Sequence, residues 1–130
     1  MNNYESIAFS LTQDSTSSCL AVSSPLTGNL TKIGNSVTAT FDQATGPSQR
    51  SANVITVAGS IPTRFLPSPA GRFPNGLFNV YVNGSSYWAP GTVNSSGVVS
   101  IYRDVYQNPF PAGTSNSVGI YDGIMRWTTS

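Results

Sequence analysis

The sequence predicts an all-β fold, an antiparallel β-sandwich or jelly roll of eight or nine short strands. Apolar and polar residues alternate with a period of two in several stretches, as in strands that bury one face. The apolar spacing of a helix face is not sustained, because Gly or Pro interrupts most windows. Turn residues separate the candidate strands at intervals of about 8–12 residues, which is typical of sandwiches and jelly rolls.

The strand candidates follow in chain order. Alternation is clearest in residues 7–11, 37–41 and 78–82, where apolar side chains fall on one face. The prediction of an all-β fold depends most on these three segments. Further strands are predicted over residues 19–22, 54–58, 87–93, 98–103, 118–121 and 124–128.

Two turns connect the strands of the C-terminal half into a meander. Asn83 and Gly84 tolerate the two positive φ angles of a type I′ hairpin and stand between two strand candidates. The segment Asn94-Ser95-Ser96-Gly97 forms a second turn before residues 98–103. We therefore expect three consecutive antiparallel strands between about residue 77 and residue 103.

Three segments are predicted to interrupt the strands. Residues 46–51 form a polar loop, residues 62–74 contain four prolines, and residues 108–113 contain two more. No internal repeat of fixed period is present. The Ser- and Thr-rich stretch up to about Thr31 includes the alternation at 7–11, so we expect a single domain over residues 1–130.

The composition excludes most catalytic and metal chemistry. The chain has no histidine, and only 8% of its residues are charged. Cys19 is the only cysteine, so neither a disulfide nor a thiolate metal cluster is expected from this chain. Lys32 and five scattered arginines give a net charge of +1 and no basic stripe, so nucleic acid is not an expected partner. We expect no cofactor.

The acidic residues offer one route to catalysis, because glycoside hydrolysis needs two carboxylates and no histidine. Glu5, Asp14 and Asp42 occupy terminal or turn positions and are interpreted as structural. Asp104 and Asp122 lie near aromatic residues at strand ends and could approach each other. We assign them to turns, salt bridges or ligand hydrogen bonds, and expect no enzyme.

Aromatic and polar side chains of the C-terminal half are the remaining binding resource. A sugar packs its C–H face on an aromatic ring while carboxylate, amide and guanidinium groups bond its hydroxyls. The alternative for each aromatic residue is a place in the core or in a subunit interface. The candidate ligand-binding residues are Tyr87, Trp88, Arg103, Asp104, Tyr106, Asp122, Arg126 and Trp127.

Strand 98–103 is apolar on both faces, with Val99 and Ile101 on one and Val98 and Tyr102 on the other. Since a single sandwich would expose one face to water, a neighbouring copy is expected to cover it. Low charge also weakens protection against association. We therefore expect a homo-oligomer. The first residues resemble no secretory signal, and no apolar run is long enough to span a membrane.

Part of the chain resembles the C-terminal head domains of bacteriophage receptor-binding and tail-fibre proteins. The resemblance covers about the last 70 residues and is one of pattern: a P-x-x-F-x-P segment, a meander with an Asn-Gly turn, and a short final strand. It is carried by residues 59–68 (GSIPTRFLPS), 78–84 (FNVYVNG), Trp88, 91–93 (GTV), 94–97 (NSSG), 99–101 (VSI) and 119–121 (GIY).

The resemblance implies a trimeric β-sandwich head at the tip of a fibre or baseplate of the virion, which binds saccharides of a host cell surface. Its partners would be two further copies, other fibre or virion proteins and the host glycan. No residue role carries over, because ligand contacts differ between members of that family. The chain departs from the pattern in showing no shoulder, neck or coiled-coil segment before the head.

The sequence therefore predicts a non-enzymatic receptor-binding head. Two alternatives stay open. One is a structural trimeric jelly-roll module, such as a capsid, decoration or TNF/C1q-like protein, whose aromatic residues serve packing only. The other is a free-standing lectin that acts without a particle.

Overall fold

The computed structural model describes residues 4–52, 54–59, 61–68 and 76–129. The fold is all-β, as predicted, and the described residues form one antiparallel sheet of nine strands. The described part includes no helix with the length and apolar character needed to cross a membrane. The strands are β1 (Tyr4–Gln13), β2 (Leu26–Ile33), β3 (Ser36–Phe41), β4 (Ala44–Pro47), β5 (Val54–Gly59), β6 (Gly76–Val82), β7 (Ser85–Val93), β8 (Val99–Tyr102) and β9 (Ser117–Thr128), with a 3-10 helix at Thr63–Phe65.

The sheet closes on itself. The strand order is β3-β2-β1-β5-β8-β7-β6-β9-β4, and β3 pairs in addition with β9. This second pairing joins eight strands into a ring. The long strand β9 makes it possible, because residues 117–120 pair with β4 and residues 123–128 pair with β3. The side chains that point inward form the core.

The predicted meander is confirmed. Strands β6, β7 and β8 are consecutive neighbours in the sheet. Asn83 and Gly84 have φ angles of 47° and 88°, as a type I′ hairpin requires. Gly97 closes the second turn with a φ of 84°, and its N–H donates to the carbonyl of Asn94 at 2.9 Å. The predicted strands 7–11, 37–41 and 54–58 lie in β1, β3 and β5.

The prediction of a strand at residues 19–22 is wrong. Leu20 makes one isolated bridge to Ser48, and the N–H of Ser24 closes a turn on the carbonyl of Ala21. Cys19 and Leu20 are nevertheless buried. The segment is apolar because it packs into the core as a connecting loop.

Strands β2 and β4 were not predicted. In β2 the inward positions are Leu26, Gly28 and Leu30, and the central glycine hides the alternation. A Cβ at position 28 would lie 1.9 Å from the carbonyl oxygen of Thr40, so the close approach of β3 requires glycine there. In β4 the predicted loop 46–51 is wrong for its first two residues. Pro47 is tolerated because β4 stands at the end of the strand order.

The last two predicted strands, 118–121 and 124–128, are one continuous strand with a bulge. Asn79 of β6 pairs with Asp122, whereas Val80 pairs with Ile120, so Tyr121 is the extra residue. The bulge reverses the alternation, and Ile120 before it and Met125 after it both point inward. Because the alternation changes phase at the bulge, the sequence pattern suggests two separate strands.

The core is crossed by three phenylalanine rings in edge-to-face contact. The ring centroids of Phe9 and Phe41 are 5.1 Å apart, and those of Phe41 and Phe78 are 5.0 Å apart. Phe78 packs against two glycines of neighbouring strands. A Cβ at Gly91 or Gly123 would lie 2.2 or 2.0 Å from its ring. These glycines therefore make room for the ring.

Connecting segments supply two further buried rings. Phe65 of the 3-10 helix is fully buried, and its carbonyl accepts a hydrogen bond of 2.7 Å from the indole Nε1 of Trp127. Phe110 is also fully buried, and its N–H donates to the carbonyl of Ala52 at 2.7 Å. The proline-rich segment thus contributes to the core through residues 63–65. Residues 69–74 of this segment lie outside the described residues.

Candidate functional site

The candidate site lies on the outer face of β7, β6 and β9. On this face Asn79 of the middle strand pairs with Trp88 on one side and with Asp122 on the other. Since neighbouring strands are about 4.8 Å apart, this row of three side chains spans about 10 Å of the sheet. We call it the Trp88 row. It combines an aromatic ring, an amide and a carboxylate.

An apolar row runs beside the Trp88 row. Leu77 pairs with Pro90 of β7 and with Ile124 of β9, and each of these residues lies two positions along its strand from the Trp88 row. Trp88 and Leu77 are 59% and 50% exposed, which is unusual for large apolar side chains on a packed sheet. The two rows border an open groove of about 300 Å³. This outer groove is lined by Leu77, Trp88, Asp122, Gly123 and Ile124.

Two tyrosines border the other side of the Trp88 row. Tyr81 follows Asn79 by two residues on the same face of β6, and Tyr121 precedes Asp122 at the bulge. Their ring centroids lie 5.2 Å apart in an edge-to-face contact. The bulge leaves both Tyr121 and Asp122 exposed. It therefore brings an aromatic ring and a carboxylate to the surface side by side.

The polar groups of the Trp88 row have no partners within the described protein. No described residue donates a hydrogen bond to the carboxylate of Asp122 or forms a salt bridge with it. Across the same residues, the side chains of Asn79 and Trp88 also make no hydrogen bond. An indole donates, an amide donates and accepts, and a carboxylate accepts. The row thus presents a varied set of unoccupied hydrogen-bonding groups.

The inner face of the three strands that carry the groove is packed on a buried ring. Phe78 stands directly beneath the row, between Leu77 and Asn79 in the sequence, and is fully buried. Its ring occupies the space left by Gly91 and Gly123 on the two flanking strands. The three strands that carry the groove are therefore packed on one shared ring.

Other predicted site residues form a second cluster at the end of β8. Asp104 is only 8% exposed. Its carboxylate accepts hydrogen bonds from Arg103 Nη1 at 2.7 Å, from Asn108 Nδ2 at 3.0 Å, and from the backbone N–H groups of Tyr106 and Asn108 at 2.9 and 3.1 Å. The guanidinium of Arg103 lies 5.1 Å from the ring centroid of Tyr87. We call this group the Asp104 cluster.

The Asp104 cluster holds its carboxylate in the ionised form. Burial opposes ionisation, but the hydrogen bonds from Asn108 and Tyr106 and the charge of Arg103 outweigh it, so the pKa of Asp104 lies below its ordinary value. Since its acceptor positions are taken by the protein, Asp104 ties the loop to the end of β8. A ligand would have to displace those donors.

The remaining predicted residues lie apart from the groove or at its margin. Tyr106 is 83% exposed in the loop after β8. Arg126 is exposed on β9, on the same face as Asp122, and pairs with Thr38 of β3. Trp127 is only 7% exposed and bonds to Phe65. The structure therefore brings Trp88 and Asp122 together and leaves the others outside the groove.

The structure does not bring Asp104 and Asp122 together. Asp104 follows β8, Asp122 lies on β9, and strands β7 and β6 stand between them. Nowhere in the described ranges do three His, Cys, Asp or Glu side chains gather as a metal site would require. Burial raises the pKa of the Cys19 thiol to about 12, so this thiol is not a nucleophile at neutral pH.

Sequence reasoning missed Leu77, Asn79 and Ile124. Strand parity carried a usable signal for Asn79, because it stands between the inward residues Phe78 and Val80 and must point outward. The outward direction of Ile124 could not be read in this way, since the bulge at Tyr121 changes the alternation within β9.

Comparison with known proteins assigns no family. No protein-family model matches this chain, and no curated protein matches it either. The resemblance to phage head domains therefore stays a prediction.

Proposed function

We propose that this chain is a non-enzymatic saccharide-binding head of the kind that attaches a phage or other virus particle to a host cell surface. The observation that carries the proposal is the outer groove, which the exposed indole of Trp88 and the carboxylate of Asp122 both line, with the amide of Asn79 between them in the same row. The side chains of Asn79 and Asp122 have no partner among the described residues.

The groove suits a sugar ring in both its apolar and its polar parts. The C–H face of a pyranose packs on an indole such as that of Trp88, and Leu77 and Ile124 extend this apolar wall. Hydroxyl groups at the ring edge both donate and accept hydrogen bonds. Asn79 and Asp122, on neighbouring strands, offer both kinds of partner at one edge of the indole.

Binding without hydrolysis is favoured by the placement of the carboxylates. Glycosidases use two carboxyl groups about 5 to 9.5 Å apart, one on each side of the scissile bond. Among the described residues that line the outer groove, Asp122 is the only acid. Asp104 is engaged by Arg103 and Asn108 in its own cluster. Asp42, which follows Phe41, the pairing partner of Gly123, accepts a hydrogen bond from Thr27 and does not line the groove. No second carboxylate of the described residues therefore lines this groove.

The finer architecture belongs to the same proposal. The closed sheet is taken as a sandwich or jelly-roll-like head that assembles as a trimer and is carried on the virion by other fibre proteins. The low content of charged residues, 8%, supports self-association. Each shallow groove binds its sugar weakly, and several linked copies on one particle raise the avidity.

The test compares two exposed aromatic residues. We expect Trp88→Ala to weaken binding to host cell-surface polysaccharide at least about tenfold, which corresponds to about 1.4 kcal/mol. Tyr106→Ala is the matched control, since Tyr106 is 83% exposed and does not line the groove. Its affinity should change less than twofold. Equal binding by wild type and Trp88→Ala on a glycan array would refute the proposed site, and new reducing ends would show hydrolysis.

The exposed apolar residues of the groove also favour a second function, a structural module in which this face joins two copies. Leu77, Trp88 and Ile124 are all at least 37% exposed. In that case Trp88→Ala would lower the oligomeric mass measured by light scattering, and the wild type would bind no glycan. A free-standing lectin would bind as proposed, but its gene would lie apart from genes for particle proteins.

A further inference from the structure

We infer that the outer groove selects saccharides bearing a free amino group over their N-acetylated and acidic counterparts. This inference rests on the proposed function, because it concerns the ligand of the same groove. The first observation concerns the charge of the groove lining. Asp122 is the only charged side chain among the described residues that line the groove.

The charge of Asp122 is not neutralised within the protein. No described Lys or Arg forms a salt bridge with it. Arg126, the next charged residue on that face of β9, is four residues further along the strand, or about 13 Å at about 3.3 Å per residue. This spacing is between the Cα atoms, and no ion pair joins the two side chains. A cationic ligand group would therefore meet an uncompensated carboxylate.

The indole across the row favours the same kind of ligand. A cation close to the face of a Trp ring is attracted by the negative potential of that face. Trp88 is 59% exposed, and its ring makes no cation–π contact with any described Lys or Arg. An amino sugar can pack its C–H face on this ring and direct its ammonium group toward Asp122. Asn79, between the two, can bond a neighbouring hydroxyl.

Acetylation and acidic groups remove these advantages. An N-acetyl group abolishes the positive charge and leaves one N–H donor where the ammonium had three. A uronic acid carries a carboxylate that repels Asp122. The three sugar classes should therefore rank in affinity as free amine, N-acetyl and acid.

The experiment uses oligosaccharides of equal length made of glucosamine, N-acetylglucosamine or galacturonic acid, titrated into the wild-type protein by calorimetry. We expect the glucosamine oligomer to bind at least about tenfold more tightly than the other two. This preference should shrink as added salt screens the charges. Asp122→Asn should reduce the preference to about twofold or less.

Asp14→Asn is the matched control. It removes the same formal charge, but Asp14 is exposed in the turn after β1, with strands β2 and β3 between β1 and β9, and its carboxylate accepts hydrogen bonds from the backbone N–H groups of Thr16 and Ser17. It should keep the full preference. If Asp14→Asn lowers the preference as much as Asp122→Asn does, net charge is responsible and the inference is overturned.

The two proposals fail in different ways. If Trp88→Ala binds cell-surface polysaccharide as the wild type does, the groove is not the saccharide site and both proposals fail. If Trp88→Ala loses binding but the wild type shows no preference for the glucosamine oligomer, only the ligand assignment is overturned. The same holds if Asp122→Asn retains the preference.

Discussion

The outer groove and the Asp104 cluster contain the same kinds of residues and use them in opposite ways. In the cluster, the carboxylate of Asp104 is buried and accepts four hydrogen bonds, and Arg103 lies over the ring of Tyr87. In the groove, Asp122 and Trp88 are exposed, and no described residue bonds to either side chain. One group serves the fold, while the other is left available.

The difference shows what distinguishes a binding residue from a structural one. A buried carboxylate persists only when the protein supplies donors that replace water, and those donors then exclude a ligand. An exposed carboxylate keeps its water, which a ligand can displace at modest cost. Residue type is therefore a poor guide to function in this chain, and the state of the hydrogen-bonding groups is a better one.

The largest effect is expected from Phe78, whose ring supports the groove from the inner face. Phe78→Ala should lower the free energy of unfolding by about 3–5 kcal/mol, because it opens a cavity beside Gly91 and Gly123. Urea unfolding followed by circular dichroism measures the change. Tyr106→Ala, at an exposed loop position, is the control and should change stability by less than about 0.5 kcal/mol.

A loss below about 1 kcal/mol for Phe78→Ala would mean that the three strands relax around the missing ring. The groove would then not depend on its inner support. The packing of Phe78 would then not explain how the outer groove is held in place.

The second largest effect is expected at Asp104. Asp104→Ala should cost about 2–3 kcal/mol, since the charge of Arg103 and the N–H groups of Tyr106 and Asn108 lose their acceptor. The same denaturant titration measures it. If the variant is as stable as the wild type, water replaces the lost carboxylate, and the cluster is not the structural element described above.

Asp104 also predicts a pH dependence. Its pKa is lowered in the folded protein, so its contribution to stability is full above its unfolded pKa of about 3.9 and is lost as the pH falls through the lower folded pKa. Asp104→Asn should be less stable than wild type at pH 6, and the difference should narrow below about pH 4. Unfolding titrations between about pH 6 and 2.5 test this. A difference that stays constant or grows toward acid would contradict the assignment.

Local patterning predicted much of the fold and little of its closure. The alternation around Phe78 identified β6 and its inner face, and Asn83-Gly84 identified the hairpin that follows. The pairing of β3 with β9 joins segments more than 80 residues apart, such as Val37 and Trp127. No local signal encodes that register, because it depends on how the whole ring of strands closes.

The site was predicted in part for a similar reason. Trp88 and Asp122 were among the candidates because of their residue types, and the structure brings them into one row with Asn79. Trp127 was a candidate for the same reason, yet its indole bonds to Phe65 inside the protein. Residue type cannot separate these cases, since burial follows from long-range packing.

The smallest effect on stability is expected for Asp122→Asn. This substitution tests the statement that the carboxylate in the outer groove does not serve the fold. Asp122 is exposed and is not hydrogen-bonded by any described residue, so the change should alter the free energy of unfolding by less than about 0.5 kcal/mol at neutral pH. Asp104→Asn, measured beside it, should cost clearly more. If both substitutions cost the same, Asp122 holds the bulge of β9 in place, and its carboxylate is structural. If only Asp104→Asn destabilises, Asp122 contributes nothing measurable to the fold, and its carboxylate is available to a ligand.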